Sequence, residues 1–312
     1  MSRKEKMSHK KMSKRKKVLS IVLVMMTACV GVFGYLIFNN VYMTLDAIHK
    51  DINETDKRVG KVNIEKKEPF SILLLGVDHR TGDRGRSDSM IVMTVNAKNH
   101  STKMVSIPRD TRTEIIGKGK EDKINHAYAF GGVQMSVDAV ENFLNIPIDY
   151  YLEVNMEGFK DIVEAVGGVD VVNDLDFTFG GVHFKKGPLH LNGDDALKYA
   201  RMRKLDPRGD FGRQMRQRQV IEAVIKKGVT VTSLTKYNSI LTAIQNNVVT
   251  NLNLSEMISM QKKYRNAAKN IQETQINGKG TKIGGIYYLL VPPEEQNYLS
   301  KDLRQHLELP LK

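Results

Sequence analysis

Apolar positions set the first divisions of the chain. Val18 to Phe38 is an unbroken run of 21 residues with no charge and no proline. At about 1.5 Å per residue it predicts a helix able to span a bilayer core. It lacks an Ala-x-Ala site, which disfavours a cleaved signal peptide, and apolar residues continue past Cys29, which disfavours a lipobox at Met26–Cys29. Val41, Leu45, Ile48, Ile52, Thr55 and Val59 follow at helical seam spacing, with charges in the gaps. They predict a stalk that continues the membrane helix or lies on the domain, and Lys61 to Pro69 reads as a linker.

Beyond the linker, periods of two and of 3.6 alternate. Phe70–Val77 is nearly all apolar and predicts a buried central strand. Ser89–Val95 and Thr102–Ile107 read as strands joined by the turn Asn96–Asn99, and Tyr150–Val154, Val169–Val172 and Ile286–Val291 as further strands, the last of them buried. Helical spacing covers 133–144, 156–166, 194–200, 211–227, 234–247, 255–268 with Ser255 as cap, and 294–307. The alternation predicts an α/β fold: one α-β-α layered domain over 70–312 with a central mixed sheet, preceded by a single membrane helix.

Charge then fixes a side. Residues 1–17 hold nine basic residues and one acid, whereas the rest of the chain holds 39 basic and 34 acidic residues. The +13 net charge therefore comes mostly from a tail. It is weak evidence for nucleic-acid binding, and no recognition-helix pattern supports that class. A basic tail before the apolar run, with no Lys or Arg just after it, predicts 1–17 in the cytoplasm, 18–38 in the membrane, 39–69 as stalk and linker, and 70–312 outside: a single-pass cell-membrane protein of type II orientation. A lone cysteine excludes an intrachain disulfide framework, and the absence of tryptophan argues against a stacking platform for bases or sugars.

The chemistry lies in how arginine is distributed. Past the membrane segment there are 14 Arg and 25 Lys, yet the segments 78–88, 109–113 and 201–218 hold 11 of those Arg and a single Lys, Lys204. Solubility alone would use the two cations alike. A guanidinium fork is selected where a planar or tetrahedral oxyanion is gripped. Arg80, Arg84 and Arg86 follow the first strand, and Arg109 and Arg112 follow the third, at strand ends where layered α/β sites form. On the helix over 211–227, Val220, Ile221, Val224 and Ile225 form an apolar stripe that Gln217 and Arg213 extend to the N-terminal end. Arg213 then needs an anion or a carboxylate such as Asp210. Arg216 and Arg218 fall to the sides and are predicted to be surface residues. Asp78, Asp88 and Asp110 stand at strand ends, and two such carboxylates can hold Mg²⁺ when phosphates complete the shell. His126 is read as structural. Arg208-Gly209-Asp210 is a chance cell-adhesion tripeptide, though a passive surface-binding or attachment protein and a regulator of wall metabolism remain alternative classes.

In order, the chain carries Leu73-Leu-Leu-Gly-Val-Asp78, Arg86-Ser-Asp88-Ser-Met, Ser106-Ile-Pro-Arg109-Asp110-Thr, Lys123-Ile-Asn-His-Ala-Tyr128, Leu191-Asn-Gly, Ala196-Leu-Lys-Tyr-Ala-Arg201-Met-Arg203 and Asp210-Phe-Gly-Arg213-Gln-Met-Arg216-Gln217. This set, over about residues 70–225, resembles the LytR-CpsA-Psr family of Gram-positive bacteria, and most of all its wall teichoic acid transferases. The resemblance implies a phosphotransferase. It would move an anionic glycopolymer from an undecaprenyl pyrophosphate carrier to the C6 hydroxyl of N-acetylmuramic acid in peptidoglycan. It also implies a polyprenyl tunnel between sheet and helices, with the pyrophosphate at its mouth. By motif position Asp78 and Asp88 would be Mg²⁺-linked, and Arg86, Arg109, Arg201, Arg203 and Arg213 would grip the pyrophosphate, with Gln217, Asp210 and Lys123 alongside. Asp78 or Asp88 would serve as base, and Arg109 would act at the reacting centre. Which of Arg80, Arg84 and Arg86 reaches phosphate stays open, because the loop varies in length among relatives.

Overall fold

The computed structural model describes residues 43, 48–78, 85–229 and 247–311. The expected membrane helix 18–38, the basic tail and all but the last residue of the helix predicted over 234–247 lie outside them. Among the described residues no helix is long and apolar enough to cross a membrane.

The central sheet begins with β1 (Phe70–Val77), β2 (Ser87–Asn96) and β3 (Ser101–Ile107), paired as an antiparallel meander. The β2–β3 turn forms because the Asn96 carboxamide oxygen accepts from the backbone N–H groups of Lys98 and Asn99 at 3.0 and 2.9 Å, an Asx turn. A small ladder follows, β4 (Arg112–Ile115) with β5 (Lys120–Lys123), then helix α1 (His126–Leu144), which kinks at Gly132. β6 (Tyr150–Asn155) lies parallel to β1. Helix α2 (Met156–Ala165) leads to β7 (Val169–Asn173), the β8–β9 hairpin (Phe177–Phe179, Val182–Phe184) and β10 (Gly187–Leu191), which pairs with β7 outside the main sheet. Helices α3 (Gly193–Arg201) and α4 (Asp210–Gly228) come next. β11 (Val248–Thr250) closes one sheet edge, helix α5 (Leu254–Lys263) follows, and β12 (Ile271–Gln275) closes the other edge parallel to β3. The hairpin β13 (Lys279–Ile283) and β14 (Ile286–Leu290) and helix α6 (Pro293–His306) complete the order. The sheet order is β11-β6-β1-β2-β3-β12, mixed as the patterning predicts.

Alternation along β1 divides the core between its two faces. Leu73, Leu75 and Val77 pack with Val137 and Val140 of α1 and Leu299 and Leu303 of α6. Ile72 and Leu74 face the other way, against Ile91, Met93 and Met104 and against Ile221 and Ile225 of α4. Helices thus cover both faces. A second cluster, built on Phe177, Phe184 and Tyr199, fills the space among α2, α3, α4 and the β7–β10 ladder. Val220 and Val224 join it, so α4 carries two apolar faces and not the single stripe expected.

Four expectations change. The stalk spacing does not give a helix over 49–59: Ile48 is buried, Ile52 packs on the main core, and Lys50 N–H donates to the Thr250 carbonyl at 2.8 Å. Residues 61–69 hold a 3₁₀ turn at Ile64–Lys66 with Ile64 buried, so they are part of the domain surface. Helix α5 is capped by Asn253 and not Ser255. A capping box with Glu256 satisfies both ends of that turn, and the helix stops at Lys263. Ile286–Val291 is not a buried sheet strand: Ile286, Tyr287 and Leu290 are exposed on a hairpin, and the sheet edge is taken by the polar Ile271–Gln275.

Candidate functional site

Three strand ends and one helix start meet in a small region. Asp78 follows β1, Arg86 immediately precedes β2, Asp88 is the second residue of β2, and Arg109 and Asp110 follow β3. They line a polar cavity of about 350 Å³ with Gly85, Lys123, Asn125 and His126. That volume suits a small charged group rather than a long apolar one.

Arg109 donates from Nη1 to Asp88 Oδ1 at 3.0 Å, and its Nε lies 3.8 Å from Asp110. Lys123 Nζ reaches Asp110 Oδ1 at 2.6 Å. Arg213, near the start of α4, donates to the Asp88 carbonyl at 3.2 Å and pairs with Asp210 at 2.8 Å. Arg203 Nε is 3.7 Å from the same Asp210 oxygen. Gln217 accepts from the Ser89 hydroxyl at 3.1 Å. These contacts join all three arginine-rich segments. Arg201 is exposed at the last residue of α3 and is not among them, Arg86 lines the cavity as an exposed side chain, and Arg80 and Arg84 lie outside the described residues.

The electrostatics of the two inner arginines differ. Burial disfavours the Arg109 cation, but Asp88, Asp210 and Asp110 outweigh it and raise its pKa. For Arg213 burial wins. Arg109 and Arg203 add repulsion, Asp210 and Asp88 oppose it, and the net direction is down. A guanidinium stays protonated in either case. The direction says that Arg213 lacks sufficient negative charge in its surroundings. The Nε atoms of Arg109 and Arg213 are both buried without a hydrogen-bond partner. Such donors are costly unless an arriving acceptor takes them.

The stripe on α4 links this cluster to grease. Arg213, Gln217, Ile221 and Ile225 stand four residues apart and so lie along one helix face. Its polar end touches the cluster. Its apolar end lies over half-buried Ile72 and Leu74 of β1.

Arg216 and Arg218 are not surface residues. Arg216 is fully buried: Nη1 pairs with Asp206 at 2.6 Å, and Nε and Nη2 donate to the carbonyls of Tyr199 and Met202 at 3.1 and 2.5 Å. Its plane lies against Phe177 and Tyr199. Arg218, 4% exposed, bonds Glu273 of β12 and Ser106 of β3. An inward helix face was assigned from apolar residues alone, and snorkelling guanidinium groups extend it. Arg208 is committed to Asp174 and Asp206, so the Arg-Gly-Asp tripeptide is a structural element. His126 does have a structural partner, Asp122 at 3.0 Å, and also lines the cavity. Sequence reasoning passed over Asn125 and Ser89. Asn125 stands at the N-cap of α1 but makes no cap bond and donates toward Asp88 at 3.4 Å. Both residues fall within the short motifs already singled out. Among the described residues no group of three or more His, Cys, Asp or Glu is arranged to hold a metal alone.

The LytR_cpsA_psr family model matches residues 35–305. A Bacillus mycoides protein named polyisoprenyl-teichoic acid--peptidoglycan teichoic acid transferase TagU is 58% identical over 295 residues, 94% of this chain and 97% of that one. The crystal structure of B. subtilis TagU, 49% identical, superposes with a TM-score of 0.65 over 79% of this chain and all of the other. A structure described as TagT bound to LIIa-WTA, 33% identical, gives 0.73 over 82% of this chain and 97% of that one.

Proposed function

The chain belongs to the LytR_cpsA_psr family, and from that premise we propose that it is a polyisoprenyl-teichoic acid--peptidoglycan teichoic acid transferase. It takes an anionic glycopolymer from its lipid pyrophosphate carrier and joins it by a phosphodiester to the C6 hydroxyl of N-acetylmuramic acid in peptidoglycan. One observation carries the reading: guanidinium groups from three separate segments join one contact cluster through Asp88 and Asp210 beside the cavity, and two of them hold buried donors without acceptors.

The reaction forms a bond from the acceptor oxygen to the polymer-bearing phosphorus and breaks the bond to the bridging oxygen, leaving polyprenyl phosphate. It needs in-line positioning and neutralisation of charge more than covalent help. Arg109 and Arg213 bind the diphosphate from two sides, and Arg203 and Arg86 complete the grip. Gln217 and Asp210 hold that frame: Asp210 orients Arg213, and Gln217 is fixed by Ser89. Lys123 keeps Asp110 turned to the cavity. Asp78 and Asp88 both face the space an acceptor hydroxyl would fill, and either can take its proton. The isoprenoid tail lies along the Ile221–Ile225 end of the α4 stripe.

The residues present fit a divalent cation supplied with its substrate. Asp78 and Asp88 would hold Mg²⁺, which binds through one or two carboxylates plus substrate phosphates and so needs no all-protein cage. When bound it would add positive charge beside the leaving phosphate. Without it the cavity's three cations (Arg86, Arg109, Lys123) balance its three carboxylates (Asp78, Asp88, Asp110), with Arg203, Arg213 and Asp210 adjoining. Tethered by residues 18–38, the domain works at the outer face of the cytoplasmic membrane, where carrier lipid and peptidoglycan are both within reach. Purified full-length protein given lipid-linked teichoic acid precursor and peptidoglycan should move labelled polymer into the insoluble wall fraction. No transfer with wild type, or equal transfer with Asp78→Ala, would contradict the reading.

A further inference from the structure

The β13–β14 hairpin is absent from the mechanism above, yet it is rooted in the site: Leu289 N–H donates to the Asp110 carbonyl at 2.8 Å, and Thr111 bridges Leu289. Its tip is unusual for a solvent-facing turn. Gly284 and Gly285 both have positive φ, 58° and 81°, which lets two isoleucines cap a tight two-residue turn. Ile283 is 42% exposed and Ile286 51%. Tyr287, also exposed, is the cross-strand partner of Lys282. From residue 276 to 291 there is no Asp or Glu and there are two lysines, Lys279 and Lys282. The β4–β5 ladder, whose first residues follow the root, carries exposed Lys118 and Lys120 at its turn and exposed Glu114 and Glu121 along its strands.

We infer that this hairpin is a membrane-contact element, with Ile283 and Ile286 seated in the lipid interface and the lysines on anionic headgroups. Aliphatic tips, interfacial tyrosine and flanking lysine are the residue types that lie at a bilayer surface. Contiguous exposed apolar residues mark an interaction surface, and a hairpin that carries two lysines and no acid of its own favours an anionic one. Chain direction agrees. β11 runs away from the cavity end of the sheet, since Val248 pairs with Val154 and Thr250 with Leu152, and the chain at His49 runs parallel to it. The chain at Ile48–Lys50 therefore runs away from the cavity end, the end at which the hairpin is rooted. Contact there would hold the cavity at the depth of a carrier-lipid headgroup.

The inference rests on the membrane-tethered reading of the chain, and the test separates the two. In a Cys29→Ser background, the environment-sensitive dye NBD is attached at Ile286→Cys or at Asn99→Cys, in the β2–β3 turn at the opposite end of the sheet. Full-length protein is reconstituted in phosphatidylglycerol vesicles with and without a lipid quencher. The dye at 286 should shift to the blue and be quenched at least about threefold more than at 99. Protein held in the vesicles with no excess quenching at 286 overturns the hairpin assignment alone, whereas protein that washes off overturns the tether as well. A dye at 286 that responds to added peptidoglycan or to protein concentration, and not to lipid, makes the tip a glycan or self-association surface and also overturns it. Ile283→Ser with Ile286→Ser should lower turnover of undecaprenyl-linked donor in vesicles about tenfold and leave a short-chain soluble donor unaffected; equal loss with both donors contradicts the membrane role.

Discussion

Arg213 and Arg216 lie one turn apart on the same helix, and they show the two uses of arginine in this fold. Arg216 is saturated: a carboxylate and two carbonyls take its donors, and aromatic rings cover its plane. Arg213 is under-supplied, with Nε lacking a partner and its pKa lowered by burial and by neighbouring cations. A buried cation with every donor used holds structure. A buried cation with donors to spare awaits an anion. The first region staples the Met202–Gly209 segment to α3, and so places Arg203 and Asp210 for the second.

Opposite outcomes at those two positions are the strongest test of the contrast. Arg213→Ala should lower transfer by about 10²–10³, the scale of losing one preorganised donor, with an almost unchanged melting temperature. Arg216→Ala should remove the buried one of the two cations on Asp206, leaving Arg208, and strip the carbonyls of Tyr199 and Met202 of their donors, at a cost of about 3 kcal/mol in denaturant unfolding. Similar melting temperatures for both variants would break the distinction.

The same rule of saturation applies at His306, far from the site. Its ring nitrogens contact the Thr94 and Ser101 hydroxyls at 2.8 and 2.9 Å. Burial, with Lys103 nearby, pushes its pKa down to about 4. An unfolded imidazole titrates near 6.5, so between those values the unfolded chain holds the extra proton and stability rises with pH. The contribution is complete above about pH 6.5 and is lost toward pH 4, in all about 3 kcal/mol. His306→Gln should flatten unfolding free energy over that window; an unchanged slope assigns it to other groups.

A smaller effect is expected at Gly212. A Cβ there would stand 2.0 Å from Asp206 Oδ2, the oxygen that pairs with Arg216. Gly212→Ala should cost about 1–3 kcal/mol and reduce transfer only through the loosened segment, so added stabilising osmolyte should restore turnover. The smallest change belongs to the exposed pair Glu65–Lys263, where Lys263→Ala should leave both melting temperature and transfer within experimental scatter.

Much of this contrast was legible in residue order. The buried run at Phe70–Val77 and the Asn96 turn are local signals, so the meander could be read directly. The bias of arginine over lysine located the three segments that meet. Saturation could not be read, because Asp206 and the carbonyls of Tyr199 and Met202 reach Arg216 only through tertiary packing. For the same reason Arg216 and Arg218 were assigned to the surface, and Asn125 was passed over. The sheet edge at Ile271–Gln275 is too polar to declare itself as a strand; pairing with β3 decides it.

The central claim is that the under-supplied guanidinium cluster receives a diphosphate. Calorimetric titration of the folded protein with geranylgeranyl pyrophosphate and with geranylgeranyl monophosphate measures it directly. The account predicts that the diphosphate binds more tightly, and that Arg213→Gln erases that preference while the melting temperature holds. Equal affinity for the two lipids, or a preference that survives in Arg213→Gln, would contradict it.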